Sequence, residues 1–158
     1  MHKTNSSSEN ENALSVSEID GLIRFPDSVC ILAENDENKI ILVSQYRESK
    51  QGYTLELPGG KIETGERVTE AATRELFEET GIISKKINLI ISLDMDFSKS
   101  IHRTHVTHTL CSHREILKGN GIKPIRIDLH EAIEKIAAGE ISHAATVVGL
   151  RWLEMTRM

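Results

Sequence analysis

The chain has 158 residues, of which 39% are hydrophobic and 27% are charged, as is usual for a single soluble globular domain. Its formal net charge of −5 argues against a broad grip on a nucleic-acid backbone, which requires a basic surface. Since no segment approaches the roughly 18 consecutive apolar residues of a membrane span, we expect a cytoplasmic protein that binds neither nucleic acid nor membrane. A small anionic ligand is compatible with this charge if the protein recruits a cation.

The first residues of the chain differ in composition from the rest. Residues 1–18 are polar, rich in Ser, Asn and Glu, and free of any apolar block. This composition predicts a disordered lead-in and not a signal peptide. We therefore expect one folded domain at residues 19–158, with its first strand at Ser28.

The two cysteines give no sign of a cysteine ligand set. Cys30 and Cys111 each lie in an apolar, strand-like run, and neither belongs to a C-x-x-C pair. We expect both to be buried free thiols, since unpaired cysteine is among the most buried residue types.

Strands and helices alternate along the chain. Apolar and β-branched runs between turn-forming residues predict strands at 28–34, 39–46, 53–57, 87–95, 105–112 and 122–129. The sequence NDEN between the first two strands suits a tight turn and predicts a hairpin, whereas Pro58, Gly59 and Gly60 mark a loop after the third. Helical spacing of apolar residues predicts helices at 66–80, 130–139 and 143–155. This order predicts a single α/β domain in which helices cover a mixed sheet.

Four glutamates crowd the first predicted helix, namely Glu66, Glu75, Glu78 and Glu79. At about 100° per residue, the last three share one face of the helix, beside its apolar stripe. Like charges at this spacing repel one another, so a partner must offset the repulsion. A solvated acidic surface is the simplest alternative interpretation.

Two features favour a metal site over a solvated acidic face. Arg74 directly precedes the cluster, and the helix is entered from a loop with Gly59 and Gly60, whose backbone can approach a ligand closely. Carboxylate oxygens on a fixed scaffold are the ligands that Mg²⁺ or Mn²⁺ prefers, and a divalent charge removes the repulsion. The sequence therefore predicts that the clustered carboxylates bind Mg²⁺ or Mn²⁺.

The spacing of these residues resembles the complete signature of the Nudix hydrolases, G-x5-E-x7-R-E-U-x-E-E-x-G-U, in which U is aliphatic. The matching residues are Gly60, Glu66, Arg74, Glu75, Glu78, Glu79 and Gly81, with Leu76 and Ile82 at the aliphatic sites. The resemblance implies an α/β/α sandwich with a loop–helix–loop site. It also implies hydrolysis of a nucleoside diphosphate that is linked to another moiety.

The resemblance also implies a role for each residue of the signature. It assigns the divalent cation to Glu75, Glu78 and Glu79. The carbonyl of Gly59 is an additional ligand, and Gly59 and Gly60 lie where the backbone meets the substrate. The catalytic group consists of Glu78 and Glu79 together with Glu66 and Arg74. The last two hold the helix and the loop together. These roles suit the chemistry, because water that attacks a diphosphate needs the repulsion between nucleophile and anion cancelled.

Segments outside the signature narrow the family resemblance. VSQYRESKQGYTLELPGGKIETGE and EAIEKIAAGEISHAATVVGLRWL are similar to the ADP-ribose pyrophosphatases and related nucleoside-diphosphate-sugar hydrolases. This similarity implies hydrolysis of ADP-ribose or a related nucleotide sugar and, by analogy, a homodimer. Two alternatives remain open: a Nudix hydrolase of a nucleoside triphosphate, dinucleoside polyphosphate or dinucleotide cofactor, and a non-catalytic nucleotide sensor.

Three residues before the signature are candidates for substrate contact. Arg47 is the strongest, because a guanidinium fork matches phosphate oxygens, although a solvated charge at a strand end is an equal alternative. Tyr46 and Tyr53 either stack on a base or pack in the sheet, and packing is the favoured expectation.

The general base has several candidates, namely Glu115, a glutamate of the signature or a histidine. Four histidines lie within twelve residues: His102, His105, His108 and His113. On a strand, His102 and His108 share one face and His105 takes the other, so we expect ordinary histidines and no zinc site.

Overall fold

The computed structural model describes residues 16–112 and 122–158. Within these residues the chain forms β1 (Ser17–Ile19), β2 (Leu22–Arg24), β3 (Ser28–Asn35), β4 (Ile40–Arg47), β5 (Gly52–Glu56), β6 (Gly59–Lys61), α1 (Val68–Thr80), β7 (Asn88–Asp94), β8 (Ser100–Ile101), β9 (Arg103–Cys111), β10 (Lys123–Ile127), α2 (Leu129–Ala137) and α3 (Ala144–Arg157). The six strands and three helices predicted from the sequence are all present. None of the described helices has the length and apolar character to cross a membrane.

The main sheet is mixed, as predicted, and its strand order is β10-β4-β3-β9-β7. β3 runs parallel to β9, whereas β10 and β3 flank β4 in antiparallel directions. The hairpin between β3 and β4 is confirmed. Its turn is held by the side chain of Asn35, which accepts hydrogen bonds from the backbone N–H groups of Glu37 and Lys39.

The main sheet forks between β3 and β4. The two strands pair with each other only at residues 33–34 and 40–41. Beyond that point β3 pairs with β6, and β4 pairs with β5. The short connection from β5 to β6 therefore crosses the fork, and it delivers Gly59 and Gly60 to the middle of the sheet.

Helices cover both faces of the sheet, so the chain is a single-domain α/β/α sandwich, as the resemblance implied. Alternate residues of β3 point to opposite faces, because side chains alternate along a strand. The core beneath α1 contains Val29, Ile31, Ala33, Ile41, Ala71, Ala72, Leu76, Ile82 and Cys111. The core beneath α2 and α3 includes Cys30, Leu32, Ile40, Leu42, Val106, Ala145, Leu150 and Leu153. Both cysteines are free and buried, as predicted.

Two details around α1 differ from the prediction. Gly59 and Gly60 do not lie in a loop but in β6, which pairs with the start of β3. The helix begins at Val68 and not at Glu66, because Arg67 has an extended backbone and caps it through Glu70. It ends at Thr80 as predicted, where Gly81 adopts a left-handed conformation with φ of 72°.

The expectation that the first strand begins at Ser28 is wrong. β1 and β2 form an antiparallel ribbon, and β8 adds to β2 in parallel. β1 begins at Ser17, so the predicted lead-in at residues 1–18 overlaps a strand at its last two residues. Strands of two or three residues are too short to show alternation, which explains why the sequence pattern did not reveal them.

Candidate active site

Gly59 and Gly60 allow β6 to lie directly against its neighbours. A Cβ atom at Gly59 would collide with the carbonyl of Val29 and approach the Cα of Cys30 to 3.0 Å. A Cβ atom at Gly60 would fall on the carboxylate of Glu75. The glycine pair thus brings the β6 backbone against the acidic face of α1, and any side chain at Gly60 would displace a predicted metal ligand.

Arg74 joins the acidic helix to the segment that precedes it. Its Nε and Nη2 donate to the two carboxylate oxygens of Glu66 at 3.0 and 2.9 Å, and Nη2 also donates to the carbonyl of Lys61 at 2.9 Å. Nη1 donates to Glu75 at 2.6 Å and reaches Glu78 at 3.4 Å. The hydrogen bonds from Arg74 lower the pKa of Glu66. Arg74 and Glu66 are therefore placed to hold helix and loop together.

Glu79 is the most buried carboxylate of the cluster, with 8% of its surface exposed. Its Oε2 accepts a hydrogen bond from the backbone N–H of Gly59 at 2.9 Å. Burial raises the pKa of Glu79 to about 7; the Gly59 N–H opposes this effect, and the charge of Glu75 adds to it. The protein therefore holds this carboxylate in a position where its negative charge is poorly compensated.

Glu75 and Glu78 differ in their surroundings. Burial raises the pKa of Glu75, although Arg74 opposes the rise. The side chain of Glu78 is 56% exposed. The structure thus places one exposed and two largely buried carboxylates on adjacent turns of α1.

The acidic cluster fits a hard divalent cation in its chemistry. Its donors are carboxylate oxygens, and the raised pKa values of Glu75 and Glu79 show that the protein alone does not compensate these two charges. No three His, Cys, Asp or Glu side chains within residues 16–112 and 122–158 are already arranged as a ligand set.

A second polar cluster lies on β4 and β5. Arg47 donates from Nε and Nη2 to the two oxygens of Glu56, at 2.9 and 2.7 Å. Thr54 donates to the same carboxylate at 2.6 Å, and Nδ1 of His143 lies 3.8 Å from it. Burial acts to raise the pKa of Glu56, but the bonds from Arg47 and Thr54 outweigh it and lower the pKa.

Glu56 is a site residue that the sequence interpretation missed. It is 5% exposed, and its charge helps to raise the pKa of Glu79, so the two polar clusters are electrostatic neighbours. A signal was present in the sequence, because Glu56 lies in a strand between two leucines that pack in the core. A carboxylate at such a position requires a cationic partner, and Arg47 is that partner.

The expectation that Tyr46 and Tyr53 pack in the core is wrong. They lie opposite each other on β4 and β5, and 55% and 75% of their surfaces are exposed. Their rings meet edge to face with centroids 5.6 Å apart. The two rings thus pack on each other at the surface and not in the core.

The described histidines do not converge, as the strand alternation predicted. His105 hydrogen-bonds Ser92 at 2.7 Å, whereas His108 contacts the buried carboxylate of Glu34 at 2.6 Å. His102 packs edge to face on Phe25. His113 and Glu115 lie outside the described residues.

Comparison with known proteins agrees with this geometry. Residues 24–148 match the family model described as NUDIX domain. The chain is 30% identical over 139 residues to the ADP-ribose pyrophosphatase of Bacillus subtilis (strain 168), covering 85% of this chain and 75% of that protein. It is 32% identical over 140 residues to the methanol dehydrogenase activator of Bacillus methanolicus, with the same coverage of 85% and 75%. A crystal structure of an ADP compounds hydrolase superposes with a TM-score of 0.73 at 25% identity, covering 85% of this chain and 77% of that one.

Proposed function

Because this chain belongs to the Nudix family and is a Nudix pyrophosphohydrolase, we propose that it hydrolyses the diphosphate linkage of ADP-ribose or a related nucleoside diphosphate sugar. The proposal rests on one observation: Arg74 donates hydrogen bonds to the carboxylates of Glu66 and Glu75, and the carboxylate of Glu75 lies against Gly60. The choice of substrate rests on the similarity to ADP-ribose pyrophosphatases, which extends over most of the chain.

Hydrolysis is proposed to depend on Mg²⁺ or Mn²⁺ bound by Glu75, Glu78 and Glu79. When bound, the cation would neutralise diphosphate oxygens and lower the pKa of an attacking water. Arg74 keeps Glu75 beside Gly60, and the backbone N–H of Gly59 fixes one oxygen of Glu79. The protein thus supplies two anchored ligands and, in Glu78, one exposed ligand that is free to turn toward the cation.

Arg47 is proposed to contact the diphosphate or the sugar phosphate. Its Nε and Nη2 bond to Glu56, so we assign the substrate contact to the donors on Nη1. Glu56 fixes the orientation of the guanidinium before substrate arrives, which reduces the entropy that binding must overcome. We also propose that residues 19–158 form the hydrolase domain, that the protein is cytoplasmic and that it is a homodimer.

A nucleotide panel tests the proposed substrate. Purified protein with Mg²⁺ should release AMP and ribose 5-phosphate from ADP-ribose, and the reaction should stop when EDTA removes the cation. In ¹⁸O-labelled water, mass spectrometry of the two products would identify the phosphorus that is attacked. Preferential release of pyrophosphate from nucleoside triphosphates would replace the proposal by a different Nudix substrate class.

A regulatory role is the second candidate, and one specific observation favours it: the similarity to a protein known as a methanol dehydrogenase activator. Tight nucleotide binding without any turnover in the same panel would support a sensor and contradict the hydrolase proposal. The signature is complete, and Arg74 hydrogen-bonds its residues Glu66 and Glu75, which supports the proposal of a hydrolase.

A further inference from the structure

His143 directly precedes α3, and its ring lies beside both Thr146 of that helix and Glu56. Its Nδ1 is 3.0 Å from Oγ1 of Thr146 and 3.8 Å from Oε2 of Glu56. Among the described residues, the ring accepts no hydrogen bond from the backbone N–H groups at the start of α3. Ser, Thr, Asp or Asn usually caps those groups. The helix therefore does not depend on this histidine for its cap.

The hydrogen bonds of Thr146 determine which ring nitrogen of His143 carries a proton. Oγ1 of Thr146 accepts a hydrogen bond from the backbone N–H of Leu57 at 2.9 Å, and that bond does not use the hydroxyl proton. Within residues 16–112 and 122–158, Nδ1 of His143 is the only acceptor in reach of this proton. Nδ1 is therefore an acceptor, and the neutral ring carries its own proton on Nε2.

The ring of His143 is neutral at neutral pH. Burial lowers the pKa of His143 from its usual 6.5; the negative charge of Glu56 opposes this effect, and the positive charge of Arg47 adds to it. A neutral ring with its proton on Nε2 donates a hydrogen bond from that atom and cannot accept a proton there. His143 is thus placed as a hydrogen-bond donor and not as the general base.

The Nε2–H group of His143 has no hydrogen-bond partner in the part of the chain that the structure describes. The side chain is 36% exposed, so a ligand can reach the ring. The charged groups that act on the ring are Arg47 and Glu56, which bond to each other. A donor without a partner therefore lies beside the guanidinium that is proposed to contact the substrate.

We propose that His143 is a further substrate-binding residue, whose Nε2–H donates a hydrogen bond to the phosphate group that Arg47 contacts. This inference rests on the proposed function and adds an uncharged donor to the charged one. Thr146 holds the ring through Nδ1, and Leu57 holds Thr146, so the ring is oriented by the same backbone segment that leads to Gly59. A donor that is oriented before the substrate arrives loses little entropy on binding.

Two substitutions of His143 separate this contact from a structural role. Asn keeps a polar group where Nδ1 lies and is favoured before a helix, but it has no atom at the position of Nε2. Gln is one bond longer, so its NH₂ group can reach that position. With ADP-ribose and Mg²⁺, His143→Asn should raise KM about 10-fold with little change in kcat, and His143→Gln should stay within about 2-fold of the wild type.

The matched control is His130→Asn, which should leave KM unchanged, because the His130 side chain is 87% exposed and lies in the first turn of α2. The opposite order of the two His143 variants would indicate a structural role through Thr146 and would overturn the proposal. Wild-type KM values in both variants would overturn it as well.

Long-range ¹H–¹⁵N correlation spectra of the metal-free protein supply a second test that needs no turnover. At pH 7 the ring of His143 should carry its proton on Nε2 alone, with its signals assigned by their loss in His143→Asn. A proton on Nδ1 would overturn the proposal. A wild type that prefers another nucleotide to ADP-ribose would contradict only the proposed substrate, since the two His143 variants are then compared with that nucleotide.

Discussion

Replacing Glu79 by Gln should make the metal-free protein more stable above neutral pH. Gln keeps the shape of the side chain, and its carbonyl oxygen can still accept the hydrogen bond from Gly59, but it carries no charge. A carboxyl with a pKa of about 7 instead of its usual 4.5 is destabilised as an anion by up to about 3 kcal/mol in the folded protein. Because the buried side chain keeps some contact with water, we expect a gain of about 2 kcal/mol.

The sign of the pH dependence follows from the two protonation states. The unfolded chain releases the Glu79 proton near pH 4.5, and the folded protein releases it near pH 7. Between these values the folded state binds more protons, so raising the pH destabilises the wild type relative to Glu79→Gln. The two proteins should be equally stable below pH 4.5, diverge between pH 4.5 and 7, and differ by a constant amount above pH 7.

Urea unfolding in EDTA at several pH values measures this difference. Glu78→Gln is the matched control, because it removes a charge from the same helix at a side chain that is 56% exposed. With saturating Mg²⁺ the wild type should become the more stable of the two proteins. A ligand at 100 times its dissociation constant stabilises the folded state by about 2.7 kcal/mol, and Glu79→Gln loses most of that binding. The variant should also lose several orders of magnitude in turnover. Parallel pH profiles for wild type and Glu79→Gln would refute the reasoning.

Four further variants test the contacts around the site. Gly60→Ala should lower the free energy of unfolding by less than about 1 kcal/mol but bind Mg²⁺ weakly by calorimetry, because its methyl group displaces only the flexible end of Glu75. Gly59→Ala should lower the free energy of unfolding by about 3 kcal/mol, measured with urea, because its methyl group meets the fixed backbone of β3. Arg74→Lys should lower the free energy of unfolding by about 2 kcal/mol, since an ammonium group cannot replace the fork that bonds to Glu66; an unchanged unfolding midpoint would contradict this role. Glu56→Gln should raise KM more than it lowers kcat if it orients the substrate-binding guanidinium, and equal effects on both constants would argue against that role.

The sequence was most informative where one rule determined the structure. The spacing of Glu75, Glu78 and Glu79 indicated a shared helical face because helix geometry is fixed, and α1 has that face. The family and the α/β/α sandwich followed from the signature and are confirmed by the NUDIX match at residues 24–148 and by the structure. The turn at Asn35 and the helix end at Gly81 likewise depend on local chemistry alone.

Predictions failed where contacts distant in sequence decide the outcome. Gly59 and Gly60 have the residue types of a loop, yet the fork in the sheet leaves an edge of β3 with which they pair, and there Gly59 lies tight against the β3 backbone and Gly60 against Glu75. Tyr46 and Tyr53 are aromatic residues of predicted strands, but they lie opposite each other on β4 and β5 and stay exposed. The pairing of Arg47 with Glu56 depends on the register of β4 and β5, in which Val43 and not Arg47 lies opposite Glu56, and no local pattern supplies that register.

The fork in the main sheet has a consequence for how this enzyme can change. A single short backbone segment leads from Glu56, which orients Arg47, to Gly59, which holds Glu79. An insertion or deletion there would misplace the guanidinium and the acidic helix at once. We therefore expect new substrate preferences to arise from the tip of the β4–β5 hairpin, where length can vary while the distance between these two anchors stays constant.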